Sequence, residues 1–138
     1  MPARKLFVNV MVRDLPASMA FFRAMGFKFN PQFTNEQAAA LMFGGDAFAM
    51  LLTEPMFRSF TDREPCDMRT HIEGMYALTC DSRAEVDALM GKALAAGGSE
   101  PRPPMDHGFM YQRTLGDLDG HVWELFWMDP GALQAEPD

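Results

Sequence analysis

The first part of the chain alternates apolar and polar segments in the order that strand, helix and strand produce. Residues 5–12 (KLFVNVMV) form a valine-rich run of strand length. Asp14 follows as a candidate helix N-cap, Pro16 suits a first helical turn, and Gly26 predicts the end of the helix. The apolar face of this helix is predicted from residues at three-residue steps, namely Met19, Phe22 and Met25.

The chain then repeats this plan. Ser82 and Glu85 have the spacing of a capping box, which predicts a second helix that ends before Gly97. Aligning Asp14 with Ser82 brings the two predicted strand–helix junctions into the same place, so the halves share pattern and length rather than sequence. The remaining apolar runs predict strands at 38–43, 47–53, 75–80, 109–115 and 121–128, with turns at 44–46 and 117–120.

These patterns predict a single α+β domain built from two modules, whose sheets we expect to curl around a shared cavity. The first module spans about residues 5–56 and the second about 74–130. An arm at 57–73 joins them, and a C-terminal tail follows at 131–138. A connection of this length is typical of a lid, an interface segment or a short helix, and the sequence leaves a lid and an interface arm open.

Composition excludes several classes of partner. The chain is 48% apolar and 22% charged, which is typical of a folded domain and not of a disordered chain. Its formal net charge of −7 argues against nucleic acid or an anionic membrane as a partner, and no apolar run reaches the roughly 20 residues that span a bilayer. Because the first residues also hold no apolar run of signal-peptide length, we expect a cytoplasmic protein with reduced thiols.

Two segments resemble a known superfamily. The runs VRDLPASMAFFRAMGF (12–27) and DLDGHVWELFW (117–127) are similar to the vicinal oxygen chelate superfamily, which includes glyoxalase I, bleomycin-resistance proteins, fosfomycin-resistance enzymes and extradiol dioxygenases. The likeness extends over about residues 5–130. Within it, NPQFTNEQAA and DHGFMYQRTL resemble the branch usually labelled predicted lactoylglutathione lyase. The resemblance implies two β-α-β-β-β modules, and it also implies a homodimer, with the phenylalanine-bearing segment 57–60 as a candidate contact.

The resemblance also implies where a divalent metal would bind. Members that hold a metal use one side chain from the first and last strand of each module, and these positions correspond here to Phe7, Met50, Met75 and Glu124. Phenylalanine offers no donor atom, and thioethers are soft ligands that suit zinc, nickel, magnesium or manganese poorly. Only Glu124 could serve. We therefore expect no metal at the family position and no cofactor, while a divalent metal elsewhere stays open.

Strand alternation predicts which other side chains share the cavity wall with these positions. They combine many apolar groups with few polar ones, as a small-molecule pocket does. The candidate binding residues are Asn9, Met11, Met50, Met75, Met110, Gln112, Thr114 and Phe126. His107 and Tyr111, with Asp106, are candidates for the mouth of the pocket, although His107 could equally cap a loop or contact a partner. His121 follows the 117–120 turn and is expected to face away from the cavity in a structural role.

Glu124 is the candidate catalytic residue. A carboxyl group among methionine and phenylalanine side chains would be desolvated and could act as a general base toward an acidic C–H or O–H group. Alternatively, it hydrogen-bonds Asn9 or Gln112 and has a structural role.

Three functions remain open at this stage. The first is a glyoxalase-type lyase or isomerase, or a dioxygenase, that acts on a small metabolite. The second is a metal-free protein that sequesters an apolar or aromatic molecule, as the bleomycin-resistance members do. The third is a structural or regulatory dimer. We favour a small-molecule-binding protein without the family metal, because four of its 13 methionines (Met11, Met50, Met75 and Met110) fall on the predicted cavity wall.

Overall fold

A computed structural model of the chain describes residues 2–132, which divide into two compact units on either side of the His71–Ile72 bond. The first unit contains β1 (Leu6–Val12), α1 (Leu15–Ala24), β2 (Lys28–Asn30), β3 (Ala38–Met42), β4 (Ala47–Thr53) and α2 (Glu54–Arg58). The second contains β5 (Met75–Thr79), α3 (Arg83–Ala95), β6 (Met105–Asp106), β7 (Met110–Gly116) and β8 (Val122–Met128). Short 3-10 turns occur at Pro31–Phe33 and Pro130–Ala132. Most of the predicted tail, 133–138, lies outside the described residues.

Each unit contains one four-stranded mixed sheet, and the two sheets have the same topology. The strand order is β1-β4-β3-β2 in the first and β5-β8-β7-β6 in the second. The pairs β1·β4 and β5·β8 are parallel, and the other pairs are antiparallel. The predicted α+β class and its repeated plan are confirmed. The hydrophobic pattern missed β2 and β6, because runs of three and two residues are too short to show alternation.

Local signals explain where the long helices begin and end. The Asp14 carboxylate accepts an N–H of the first turn of α1 at 3.0 Å, and Gly26 ends the helix region with a φ of 101°. Ser82 caps α3 by accepting the N–H of Glu85 at 3.1 Å. The Glu85 carboxylate accepts the N–H of Asp81 at 3.2 Å, so the reciprocal bond of the predicted capping box is made one residue earlier.

The helices cover one face of each sheet. In the first unit α1 packs on β3 and β4, where it buries Phe22 and Met25 as predicted, while Met19 is only half-buried at the edge of that face. In the second unit α3 packs on β7 and β8. Its buried residues are Val86, Met90 and Ala93, and the fully buried sheet residues beneath include Leu115 and Leu125. Burial of these apolar side chains against the sheet supplies the main stabilisation of each unit.

Residues 57–71 of the predicted arm belong to the first compact unit, and residues 72 and 73 belong to the second. The arm continues from α2, which begins at Glu54, two residues before the predicted end of the first module. The Arg58 guanidinium pairs with Glu54 at 2.9 Å and Glu64 at 2.6 Å, which ties the segment to α2. Phe60 is 67% exposed.

The turn between β7 and β8 is built on a buried carboxylate. Asp117 is 8% exposed, and it accepts the N–H groups of Asp119 at 2.9 Å and His121 at 3.0 Å and the indole N–H of Trp123 at 2.9 Å. Burial raises the pKa of Asp117. The three donors compensate only part of the desolvation of this carboxylate, and His121 is itself buried beside it in this turn.

Replacing Trp123 by Phe should destabilise the protein, because it removes one of these donors from a buried carboxylate. We expect the free energy of unfolding in urea to fall by at least about 1–3 kcal/mol. Part of that loss comes from the smaller side chain, so the same change is also made in an Asp117→Asn background. A coupling energy of at least about 0.5 kcal/mol identifies the hydrogen bond. Additive losses would contradict it.

The two cysteines should differ sharply in reactivity. Cys66 is exposed, whereas Cys80 is 7% exposed, and burial raises the pKa of its thiol to about 11, with further contributions from Glu85 and Asp81. An aromatic disulfide reagent should therefore titrate one fast thiol per native chain, and the Cys66→Ser variant should lose that phase. Two thiols reacting at the same rate in the native protein would contradict the burial of Cys80.

Candidate functional site

The face of the first sheet opposite α1 is mostly apolar. Directly paired residues of neighbouring strands share a face, and β1 pairs Phe7 with Phe48 and Asn9 with Met50 across β4. The two phenylalanine rings stack with centroids 4.6 Å apart and an interplanar angle of 10°. The Lys5 ammonium lies 5.8 Å from the Phe48 centroid, at cation–π distance. Met11 and Leu52 form the next pair along the same face.

The face of the second sheet opposite α3 carries the remaining candidate side chains. Met75 pairs with Val122 across β5 and β8, and Gln112 pairs with Phe126 across β7 and β8. Glu124 lies between Ala77 and Thr114 in the same row. The register therefore places six sequence-predicted residues on one face: Met75, Met110, Gln112, Thr114, Glu124 and Phe126.

A polar pair occupies the middle of this face. The Gln112 amide N–H donates to the Glu124 carboxylate at 2.5 Å, between half-buried side chains on adjacent strands. Gln112 is one of the two hydrogen-bond partners that the sequence offers for Glu124. Because both side chains project from rigid strands, the pair presents a carboxylate in a fixed orientation to the open side of the sheet. Such a group can accept a hydrogen bond or a proton from a bound molecule.

The four positions to which the resemblance assigns the metal ligands do not form a suitable donor set. The Phe7 ring is stacked on Phe48, and Met50 and Met75 offer thioethers, which leaves the Glu124 carboxylate as the one hard donor. Across residues 2–132, no three His, Cys, Asp or Glu side chains are grouped so that they could hold a metal ion. The residues present therefore do not fit a divalent metal held in the manner of the superfamily.

The placement of Tyr111 at the pocket mouth is wrong. Tyr111 pairs with Trp127 on the side of the sheet that faces α3, and its hydroxyl donates to the Asp87 carboxylate at 2.7 Å. Successive strand residues point to opposite faces, so Tyr111 cannot share a face with its neighbours Met110 and Gln112.

Asp106 also belongs to a network on the α3 side. Its carboxylate accepts both terminal N–H groups of Arg83, at 2.8 and 3.0 Å, and Arg83 donates further to the Gly108 carbonyl at 2.7 Å. The guanidinium lies 5.3 Å from the Tyr111 ring centroid and 5.1 Å from that of Trp127. This network, which the sequence pattern did not reveal, ties the β6–β7 turn to the start of α3.

His107 lies in that turn and is exposed. Its backbone N–H donates to the Met110 carbonyl at 2.8 Å, and its ring centroid is 6.3 Å from that of Phe109. Asp106 and Tyr111, the residues with which it was grouped from the sequence, both face α3. His107 is therefore separated from the predicted mouth cluster.

A family model for the Glyoxalase/Bleomycin resistance protein/Dioxygenase superfamily matches residues 6–125. The chain belongs to this superfamily. No curated protein is significantly similar in sequence to this member, but many solved structures share its fold. Within residues 2–132, no helix has the length and apolar character needed to cross a membrane.

Three solved structures illustrate the likeness of this superfamily member. A hypothetical protein, SA1046 from S. aureus, is 26% identical with a TM-score of 0.76, over 92% of this chain and 95% of that one. A glyoxalase/bleomycin resistance protein/dioxygenase family enzyme from Burkholderia phytofirmans PsJN is 21% identical with a TM-score of 0.74, over 91% and 99%. A lactoylglutathione lyase from Agrobacterium tumefaciens is 19% identical with a TM-score of 0.68, over 99% and 100%.

The Arg83 network should control the acid titration of Asp106. Hydrogen bonds from Arg83, and then from the Gly108 N–H, lower the pKa of Asp106 from 3.8 to about 2. Because the folded-state pKa is below the unfolded one, the interaction favours the folded state above pH 3.8 and is lost as the pH falls through 2. Carboxyl-carbon NMR should give an Asp106 midpoint near this value, and Arg83→Gln should raise it. An unchanged midpoint in Arg83→Gln would show that Arg83 does not control this carboxylate.

Proposed function

We propose that this superfamily member is a small-molecule-binding protein that works without the family's divalent metal. The observation that carries the proposal is the stacked Phe7–Phe48 pair. Phe7 corresponds to the first metal-ligand position of relatives, and its side chain supplies neither a donor atom nor a lone pair. The thioethers of Met50 and Met75 at two further positions support the same conclusion.

The open faces of the sheets indicate the chemistry of the ligand. Each presents flexible methionine and flat phenylalanine side chains, which adapt well to an apolar or aromatic body. The Gln112–Glu124 pair is the polar feature of the second face. It suits a ligand group that donates a hydrogen bond or carries a positive charge, and the net charge of −7 favours the approach of a cation.

A lyase or isomerase remains the alternative. The Agrobacterium tumefaciens structure is named as a lactoylglutathione lyase, although at 19% identity the likeness extends to the fold alone. In an enzyme of this chain, Glu124 would act as the general base toward an acidic C–H or O–H group of the ligand. The alternative predicts turnover of a glutathione thioester, whereas the proposal predicts binding without any requirement for added metal.

The proposal is tested first by elemental analysis of purified protein and then by calorimetric titration of ligands identified in a thermal-shift screen. The screen contains glutathione thioesters, catechols and cationic aromatic drugs. We expect nickel, zinc, iron and manganese well below one atom per chain, and ligand affinity that is unchanged by a chelator. Glu124→Gln should weaken a cationic or hydrogen-bond-donating ligand by about tenfold, the loss of about one charge-assisted hydrogen bond.

Glu36→Gln is the matched control, because Glu36 is an exposed carboxylate in the loop before β3 of the first unit. It removes the same charge from the chain and should leave the affinity unaltered. A stoichiometric divalent metal that is lost in Glu124→Gln would overturn the metal-free proposal. Equal weakening by both variants would show that net charge, rather than the Gln112–Glu124 pair, governs binding. Light scattering of the same preparation gives the molar mass in solution and so tests the homodimer that the resemblance implies.

A further inference from the structure

One row of side chains at the end of the second sheet combines thioethers with an imidazole. Met110 of β7 pairs with Met128 of β8. On its other side, Met110 accepts the backbone N–H of His107 at 2.8 Å, which continues the register of β6 beyond Asp106. His107, Met110 and Met128 are therefore neighbours across the sheet, in one row on the face opposite α3.

The hydrogen-bond pattern brings the members of this row close together. The Asp129 N–H donates to the Phe109 carbonyl at 2.7 Å, so Phe109 and Asp129 form a hydrogen-bonded pair. Met110 and Met128 are then a non-hydrogen-bonded pair, with Cα atoms about 4.5 Å apart, the arrangement in which side chains approach most closely. His107 and Met110, joined by a backbone hydrogen bond, have Cα atoms about 5.5 Å apart.

A fourth group lies beside the row. Met105 pairs with Gln112, which shares the face of Met110, so its thioether is on the same side of the sheet. Met105 is 41% exposed, His107 is exposed, and Met110 and Met128 are half-buried. All four side chains are therefore at least partly exposed to solvent.

We propose that this cluster, defined as Met105, His107, Met110 and Met128, binds a soft monovalent metal ion, with Cu(I) as the physiological candidate and Ag(I) as its analogue. Thioethers select soft ions, and imidazole is a common ligand of copper. None of the four positions corresponds to a metal-ligand position of the superfamily, and hard divalent ions prefer oxygen donors. The inference does not depend on the proposed small-molecule function.

The turn that carries His107 is held in place from the opposite side of the sheet. Arg83 pairs with Asp106 and with the Gly108 carbonyl, the residues on either side of His107. This network fixes the backbone from which the imidazole projects, while it keeps the adjacent Asp106 carboxylate on the α3 side and away from the thioethers. Arg83 is thus a positioning residue for the proposed cluster.

The experiment titrates Ag(I) into protein with ¹³C-methyl-labelled methionine and reads the methyl resonances by NMR. It uses the Cys66→Ser background, because the exposed Cys66 thiol would compete for a soft ion. We expect the methyl signals of Met105, Met110 and Met128 to shift together and to saturate at one ion per chain. Competition with a chromophoric Cu(I) chelator under anaerobic conditions then gives the Cu(I) affinity.

Met110→Leu and Met128→Leu should each weaken Cu(I) binding by at least about tenfold, because leucine keeps the volume and apolar character and removes the donor. Met75→Leu is the matched control, since Met75 is a 62% exposed methionine on the same face in β5, and it should leave the affinity unchanged. Equal effects of all three variants, shifts spread over every exposed methionine, or binding confined to chains that keep Cys66 would overturn the proposal.

Discussion

The two-residue period of the strands, combined with one helix on one side of each sheet, is the constraint on which the rest of this structure depends. Once α1 and α3 bury one face, every second strand residue must belong to the core. Val10 and Leu51 are accordingly almost fully buried, while their neighbours Asn9 and Met50 are left on the other side. A shift of one residue in any strand would exchange these sets. The identity of the site is therefore decided by the same packing that stabilises each unit.

This constraint explains how much of the site could be predicted from the sequence. The alternation of side chains along a strand is a local property. Once residues 110–116 are recognised as a strand, it follows that Met110, Gln112 and Thr114 share a face. Tyr111 lies between Met110 and Gln112 in the chain, but the same alternation puts its side chain on the face toward α3. Proximity in the chain is therefore a poorer guide to a shared face than the two-residue period.

The networks around Arg83 and Asp117 could not be predicted in the same way. The Arg83–Asp106 ion pair joins residues 23 positions apart, and its geometry depends on how α3 lies on β7. Nor does an aspartate in a turn motif reveal that its carboxylate is buried and accepts the indole N–H of Trp123. Such contacts form only when helices and strands pack together, and a hydrophobic pattern along the chain does not predict them. They stabilise the turns at either end of β7, which is the strand that supplies Gln112 and Thr114 to the site.

The methionines show why a departure from a family's ligand set need not leave a protein without metal chemistry. Hard and borderline divalent ions require oxygen or imidazole donors, and the replacement of those donors by Phe7, Met50 and Met75 removes that capacity. Thioethers also occupy both positions of the Met110–Met128 pair, beside His107. Thioether sulfur does not discriminate between an apolar ligand and a soft ion, because its polarizability favours both. The proposed copper cluster shares no residue with the family ligand positions, so its suitability for copper in the reduced state comes from its own thioethers and imidazole and not from the loss of zinc or nickel ligands elsewhere.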